Sequence, residues 1–414
     1  MGYRILALAL LLASTTRADE RPLSLEDAID LALQQAPQVA AASATLEASV
    51  AIAPSAGRLP DPELATAIDN LPINTVDRFS LTRDFMTMRR IGIMQSFPNR
   101  EKRHLASTRA SQQIAVAQAE LGKSRFDTAQ AASDAWIAFA VSEESLTRLR
   151  TLRPDIELQA AAARGALAGG RTSTVEALAA QALVARIDER ILSLEQDAEM
   201  RQAELARWIG EAAERGLAPI PTNLELGRSM QALVMAVPQH SPIAPFLAEI
   251  ALAQTDVALA RAEKHPDWSA ELSYQKRGPE FSDMASLEFR VGLPFFTKHR
   301  QNPVIAEKLA MVRAQEAERD AQVRMHTAEV QATFATWRRG RERLTHYAAE
   351  LLPLARDRSR AAVASYGAGR GDLRGAIDAL TEETDDELEY VQLQGDVARA
   401  WAFLQLLHDS ETPK

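Results

Sequence analysis

The chain contains no cysteine among its 414 residues. A secreted protein without cysteine has no disulfide bonds to support its fold. It also has no N-terminal cysteine to carry acyl chains, so we expect no lipid anchor. After its first residues, the sequence lacks a run of about 18 consecutive apolar residues, the length that a transmembrane helix needs. We therefore expect no membrane-spanning helix.

The first residues have the composition of a secretory signal peptide. A basic start at Arg4 precedes a short apolar stretch, and small residues follow up to Ala18. We expect cleavage at Ala18 or nearby, so that residues 1–18 are the signal peptide and residues 19–414 the mature chain. The formal net charge of −9 argues against nucleic acid as a partner.

Sequence motifs of catalysis are missing. There is no phosphate-binding loop, nucleophile elbow or zinc motif, so we expect no enzyme activity, no cofactor and no metal site. Glu101 and His104 have the Glu-x-x-His spacing of di-iron bundles, but those sites need a second copy of the motif, which the chain lacks. His326 and Glu329 share a helix face, and a solvated pair explains that spacing. Contact with lipid or core explains the methionines near the second predicted strand, Met86, Met88 and Met94.

The chain repeats itself. Pro60-Asp61 and Pro266-Asp267 each begin an alternating segment and lie 206 residues apart, while the glycine clusters around Gly170 and Gly369 lie 199 residues apart. We interpret the mature chain as two copies of one unit joined by a linker. The first copy, the linker and the second copy occupy about residues 24–216, 217–237 and 238–410.

Each copy has the same predicted order of helix, strand, loop, strand and a hairpin of two long helices. Ser24 and Asp27 have the spacing of a capping box at the start of the first helix. The first long helices contain few breakers until Pro154 and Pro353, which are expected to kink or restart them. A glycine turn follows each proline, and a proline-free helix then returns. On these Ala-rich helices alone, a soluble helical bundle or coiled coil is the preferred interpretation.

Four segments have the alternation of β-strands. In the third, apolar and polar residues alternate from Trp268 to Gln275, whereas Arg89 and Arg90 interrupt the pattern of the second. The lengths suit membrane-spanning strands, which need about 9–11 residues. The predicted strands lie at about residues 62–71, 86–96, 268–275 and 285–293.

In a membrane-spanning sheet, the apolar face contacts lipid and the polar face lines a water-filled lumen. The predicted lipid-facing residues are Trp268, Leu272, Tyr274, Leu287, Phe289 and Val291. The predicted lumen-facing residues are Ser269, Glu271, Ser273, Gln275, Glu288 and Arg290. Four strands cannot close a barrel, and lipid tolerates no open sheet edge. A membrane interpretation therefore requires an oligomer, and three chains would supply about twelve strands.

With these features, the chain resembles the outer-membrane efflux channels of the TolC family. The resemblance covers nearly the whole mature chain and includes the repeat, the Pro-Asp strand starts and the glycine turns between long helices. Several segments are similar to the heavy-metal branch of the family, which exports cobalt, zinc, cadmium or copper. These segments are TMRRIGIMQSFP, HPDWSAELSYQKRGPEFSDM, LPFFTKHRQNP and LLPLARDRSRAAVASYGAGRGDL.

The resemblance implies a mainly α fold with a small β part. Long helical hairpins would form a periplasmic α-barrel, and four strands per chain would contribute to a trimeric outer-membrane β-barrel of about twelve strands. It also implies a homotrimer in the outer-membrane lipid of a Gram-negative bacterium. The partners would be a periplasmic adaptor and an inner-membrane pump of the resistance–nodulation–division type. Many members of this branch carry a lipidated cysteine, which this chain lacks.

The resemblance also assigns roles to residues. The adaptor-contacting hairpin tips would be Leu167, Gly169, Gly170, Arg171, Thr172, Ser173, Tyr366, Gly367, Gly369, Arg370 and Gly371. The periplasmic gate would be formed by Asp372 and Asp378. The acidic run at residues 381–390 would either extend a negative lumen or form an ordinary solvated helix face.

Three alternatives stay open beside a duct for heavy-metal cations. The same duct would serve drugs or a type I secretion system, because a pore scarcely encodes its substrate. A soluble periplasmic coiled-coil scaffold would explain the helices without a membrane. A di-iron enzyme is disfavoured by the missing second motif.

Overall fold

The computed structural model of the protein describes residues 21–409, so the predicted signal peptide lies outside the described residues. This part of the chain contains nine α-helices and four β-strands. The helices are α1 (Leu25–Gln35), α2 (Pro37–Ile52), α3 (Arg100–Ala168), α4 (Thr174–Ile209), α5 (Met230–Ala236), α6 (Ala244–Ala262), α7 (Gln301–His346), α8 (Leu352–Gly367) and α9 (Leu373–Asp409). The strands are β1 (Glu63–Asp69), β2 (Met88–Phe97), β3 (Trp268–Lys276) and β4 (Met284–Val291).

The predicted fold class, mainly α with a small β part, is confirmed. The strands form one antiparallel sheet in the order β1-β2-β3-β4, and each predicted strand is present within two residues at either end. The order of elements is the same in both halves of the chain. Two helices, two strands and a long helical hairpin follow one another twice.

Local sequence signals fix several helix ends. The side chain of Ser24 accepts a hydrogen bond from the N–H of Asp27 at 3.1 Å, and the Asp27 carboxylate accepts one in return, so the predicted capping box is present. Ser173 and Glu176 form the same reciprocal cap at the start of α4. Such caps satisfy N–H groups that have no partner within the helix.

Of the two outcomes predicted at Pro154, a kink or a restart of the helix, the restart does not occur, since α3 continues through this residue to Ala168. Packing against α4 explains the continuity, because Leu149 and Ile156, on either side of the proline, are buried in one cluster with α4 residues. Pro353 behaves differently. A π-helical turn, Tyr347–Leu351, precedes it, and α8 begins as a new helix with this proline in its first turn.

The described residues divide into two compact units. One unit holds residues 21–36, 128–226 and 334–403. In it, the indole N–H of Trp136 donates to the carbonyl of Leu23 at 3.1 Å, and that of Trp337 donates to the carbonyl of Leu224 at 2.8 Å. Both contacts join residues 113 positions apart in the sequence, so the two halves of the chain anchor their buried tryptophans in the same way.

The other unit holds residues 37–127, 227–333 and 404–409, and it contains the sheet. Within it, the segment Met230–Ala262 has a mean hydropathy of 1.4 and is long and apolar enough to cross a membrane by those two measures. Its backbone is nevertheless interrupted between α5 and α6, and His240 in the interruption is fully buried. The segment is therefore not one continuous helix of the kind that spans lipid.

Candidate functional site

The sheet has an exposed apolar face. Leu272 of β3 is 63% exposed and lies in register between Ile93 of β2 and Leu287 of β4, which are also exposed. On the same face Phe97 stacks on Trp268, with ring centroids 4.1 Å apart. A sheet in water normally buries its apolar face and exposes its polar one. The structure places all six predicted lipid-facing residues on this exposed face: Trp268, Leu272, Tyr274, Leu287, Phe289 and Val291.

The opposite face carries a ladder of alternating charges that crosses all four strands. Glu271, only 5% exposed, accepts hydrogen bonds from Arg90 at 2.8 Å and from Arg290 at 3.0 Å. Arg90 also donates to Asp69 at 3.0 Å, and Arg290 donates to Glu288 at 2.6 Å. Three carboxylates and two guanidinium groups are thus joined, which leaves the ladder with one excess negative charge.

This face also holds the other predicted lumen-facing residues. Ser273 and Gln275 are buried next to Glu271, and the amide of Gln275 donates to the hydroxyls of Ser273 at 2.9 Å and Ser286 at 3.0 Å. The pairing of β3 with β4 places all six on one face: Ser269, Glu271, Ser273, Gln275, Glu288 and Arg290.

Gly92 makes room for the charge ladder. It faces Ser273 across the β2–β3 pair, on the polar face and two residues from Arg90. A Cβ atom at Gly92 would lie 2.8 Å from the Cβ of Ser273 and 3.2 Å from a carboxylate oxygen of Glu271. Because glycine leaves this space open, the side chain of Arg90 can cross above it to Glu271.

Asp267 connects the sheet to the first turn of α3. Its carboxylate accepts hydrogen bonds from the side chain of Lys102 and from the backbone N–H of Asn99, both at 2.7 Å, and its carbonyl accepts from Gly292 at the end of β4 at 2.9 Å. Partial burial raises the pKa of Asp267, but the hydrogen bonds from Lys102 and Asn99 outweigh this effect and hold its pKa below the ordinary value. In the second predicted Pro-Asp strand start, Asp267 therefore links the sheet to the start of α3.

The two long hairpins end in turns of the same construction. Gly170 has a φ of 68° and Gly369 a φ of 69°, in the left-handed region that favours glycine. The N–H of Arg171 and that of Arg370 each donate to the carbonyl five residues earlier, at 2.8 and 2.9 Å. These are the features of a Schellman motif. The predicted adaptor-contacting residues all lie within or beside these turns: Leu167, Gly169, Gly170, Arg171, Thr172, Ser173, Tyr366, Gly367, Gly369, Arg370 and Gly371.

One predicted gate residue lies just before α9 and the other lies within it. The carboxylate of Asp372 caps the helix and accepts a hydrogen bond from the N–H of Gly375 at 2.7 Å. Asp378 lies exposed further along the helix. Among the described residues, neither aspartate forms an ion pair.

The acidic run of α9 is largely paired with arginine. Glu387 is buried and accepts from Arg148 at 2.6 Å and from Arg356 at 2.7 Å. Burial, together with the neighbouring carboxylates, raises the pKa of Asp386 above its ordinary value. An uninterrupted negative surface is therefore absent from this run. Three further pairs are Glu382 with Arg358, Asp385 with Arg190 and Glu389 with Arg343.

In the part of the chain that the structure describes, no three acidic, histidine or cysteine side chains converge as a metal site would need. The interpretation of His326 and Glu329 as a solvated pair is wrong for the histidine, which is buried. One of its ring nitrogens lies 2.9 Å from the Glu329 carboxylate, and the other lies 3.1 Å from a ring nitrogen of His240. Glu101, the first residue of the Glu-x-x-His motif, lies 3.4 Å from a ring nitrogen of His265.

Several functional residues were missed by sequence reasoning, above all Arg90, Asp69 and Lys102. Their partners lie far away in the sequence, and only the strand register and the sheet–helix junction bring them together. For Arg90, the sequence does contain a signal. Two adjacent arginines in a strand must point to opposite faces, so one of Arg89 and Arg90 belongs to the polar face.

No model of a known protein family matches the sequence, and no curated protein matches it. Solved structures do match. The outer membrane protein VceC from Vibrio cholerae is 19% identical and has a TM-score of 0.77, with 94% of this chain and 96% of that chain covered. CusC, a protein that folds and forms a transmembrane channel, is 14% identical and has a TM-score of 0.76. The match covers 92% of this chain and 91% of that chain.

The open state of the MtrE outer membrane channel from Neisseria gonorrhoeae is 15% identical with a TM-score of 0.74, and 92% of this chain and 88% of that chain are covered. In each case the likeness extends over almost the full length of both chains. This chain therefore has the fold of the outer membrane protein VceC, of CusC and of the MtrE outer membrane channel.

Proposed function

We propose that this protein is one protomer of an outer-membrane exit duct, which passively conducts substrate from an inner-membrane pump and a periplasmic adaptor to the exterior. The observation that carries the proposal is the inverted polarity of the sheet. Its apolar face is exposed, whereas on its opposite face Glu271 is buried and the charged side chains are paired with one another. This polarity suits lipid on one side and a hydrated lumen on the other. The channel structures with the same fold support the same role.

The edges of the sheet support an oligomer. β1 and β4 each have a single neighbour in the chain, so each has one edge with unpaired backbone groups. Such edges are not tolerated in hydrocarbon and must be paired by other copies. Three copies would close a barrel of about twelve strands, which is wide enough for a hydrated lumen. The long hairpins would then form a helical barrel in the periplasm.

The hairpin turns are the proposed contact with the adaptor. The two turns share one backbone construction and each presents an exposed arginine, Arg171 or Arg370, beside glycines. Asp372 and Asp378, just beyond the second turn, are the proposed periplasmic gate. The channel itself would perform no catalysis, because the pump supplies the energy of transport.

Heavy-metal cations are the proposed substrate class. The similarity of four sequence segments to the heavy-metal branch supports it, and the single excess negative charge of the ladder suits a cation. A deletion strain should lose tolerance to cobalt, zinc, cadmium or copper and keep its tolerance to drugs. Normal metal tolerance with new drug sensitivity would favour the drug duct instead.

Membrane fractionation with crosslinking tests the duct itself. The chain has no cysteine, so single cysteines can be introduced at Arg171 and Arg370, with Glu199→Cys on an exposed part of α4 as the matched control. We expect a heat-modifiable trimer in the outer-membrane fraction and adaptor crosslinks from the two turn positions only. Extraction without detergent as a monomer or dimer would instead favour the soluble scaffold.

A further inference from the structure

Two basic side chains face each other at the loop end of the sheet. Arg89 of β2 and Lys276 of β3 are direct partners in the antiparallel register. They lie one row beyond Ile91 and Tyr274, on the same apolar face, because side chains two residues apart in a strand point to the same side. The exposed apolar face therefore ends in a pair of positive charges.

This arrangement is unfavourable within the chain alone. Like charges directly opposite each other on neighbouring strands repel. Within residues 21–409 neither side chain forms an ion pair. The carboxylate of Asp283, the residue before β4, accepts a hydrogen bond from the hydroxyl of Tyr274.

The guanidinium group of Arg89 retains donor capacity. One terminal nitrogen donates to the carbonyl of Arg277 at 3.1 Å. The Nε atom is buried and has no hydrogen-bond partner among the described residues. Lys276 is exposed. An anion at this position would neutralise both charges.

We propose that Arg89 and Lys276 bind the phosphate of an anionic lipid in the outer leaflet of the membrane. The proposal rests on the proposed function, because it requires the apolar face to contact lipid. The two β-hairpin loops lie at this end of the sheet, whereas the helices connect to the other end, so in the proposed duct this row faces the outer leaflet.

The chemistry of the whole face fits an amphiphile with a phosphate headgroup. Below the basic pair lie the exposed side chains of Ile91, Tyr274, Ile93 and Leu272, which suit acyl chains. Arginine matches phosphate with two parallel donors, and lysine adds a flexible point charge. A free anion would use the basic pair alone, whereas a lipid uses the pair and the apolar rows together.

Lipid retention by the purified full-length protein tests the proposal. Delipidated protein in detergent is titrated with diphosphoryl lipid A or with the same lipid after chemical removal of its phosphates, and bound lipid is counted by native mass spectrometry. The wild type should bind the phosphorylated form about 10- to 30-fold more tightly, the effect of two basic groups at a lipid surface. The Arg89→Gln/Lys276→Gln variant should lose this preference.

The matched control removes two other exposed positive charges, in Arg261→Gln/Lys264→Gln, before the opposite end of β3. It should keep the phosphate preference of the wild type. The charge-retaining exchange Arg89→Lys/Lys276→Arg should also keep most of it, because both positive charges remain. An unchanged preference in the glutamine variant, or an equal loss in the control, would overturn the proposal.

Failure of the proposed function would give a different result. A protein that does not present its apolar face to lipid would bind neither form of the lipid, and both proposals would then fall. Equal binding of the phosphorylated and dephosphorylated forms by the wild type would overturn only the phosphate site and leave the duct intact.

Discussion

The substitution Leu272→Arg would show whether the apolar face of the sheet contacts lipid or water. Leu272 lies in the middle of the exposed apolar face, in the third of the five rows that run from Lys276 to Trp268. Its side chain is 63% exposed. In water, an arginine at such a position would be solvated and almost neutral for stability. In a bilayer, the same arginine would lie near the midplane.

The expected magnitude differs strongly between the two environments. Exposed substitutions on a soluble protein change the free energy of unfolding by less than about 0.5 kcal/mol. An arginine on the lipid face of a β-barrel costs about 2–4 kcal/mol at the bilayer midplane. Three copies in a trimer would together lose about 6–12 kcal/mol, enough to prevent stable insertion.

The assay is urea unfolding of protein folded into lipid vesicles, together with the amount of heat-modifiable trimer in outer-membrane fractions. Leu158→Arg is the matched control, because Leu158 of α3 is also 63% exposed but lies outside the sheet. We expect the change at Leu272 to lower the unfolding midpoint and the trimer yield, and the control to leave both unchanged. Normal insertion and stability of the Leu272 variant would refute the lipid-facing assignment.

Three further predictions follow from the packing of the sheet and the turns. Gly92→Ala should destabilise the sheet by about 1–3 kcal/mol, because the new Cβ would lie 2.8 Å from the Cβ of Ser273. The measurement is the urea midpoint of unfolding, and an unchanged midpoint would contradict this close approach. The lowered pKa of Asp267 stabilises the fold above the unfolded pKa of about 4, and this contribution is lost as the pH falls through the folded pKa. Asp267→Asn should therefore reduce the loss of stability on acidification, measured as the urea midpoint against pH, and an identical pH profile would exclude the proposed hydrogen bonds. Gly170→Ala and Gly369→Ala should each cost about 1–2 kcal/mol through their left-handed backbone and should weaken adaptor crosslinking, and full crosslinking in both variants would argue against the turns as the docking site.

Strand faces were predictable wherever the alternation is uninterrupted. In β3, each second residue from Trp268 to Tyr274 is apolar, and the structure separates these residues from the polar ones without exception. The pattern in β2 fails because Arg89 and Arg90 are both basic but serve different faces. Arg90 completes the charge ladder through Glu271, and Arg89 ends the apolar face. Local alternation cannot distinguish these roles, because the partner of Arg90 lies on another strand 181 residues away.

The two prolines of the long helices have different outcomes, because a new helix starts at Pro353 but not at Pro154. Both Pro154 and Pro353 lack the N–H that a helix interior requires, and a proline there costs about 3 kcal/mol. At Pro154, the buried side chains on either side of the proline pack against α4 and hold the helix together. At Pro353 the backbone widens into a π-helical turn before α8 begins. Tertiary packing, which the sequence does not display, decides between the two outcomes.

The repeat predicts equal roles for Asp61 and Asp267, yet the chain gives them different surroundings. Asp267 is tied to Lys102 and Asn99 because β3 lies beside β2, and β2 leads directly into α3. Asp61 is exposed and precedes β1, which is at the edge of the sheet and has β2 as its single neighbour. A repeat in the sequence fixes what each copy contains, but its contacts depend on which neighbour the sheet supplies. The exposed edge at β1 is therefore where one chain alone leaves the repeated pattern incomplete.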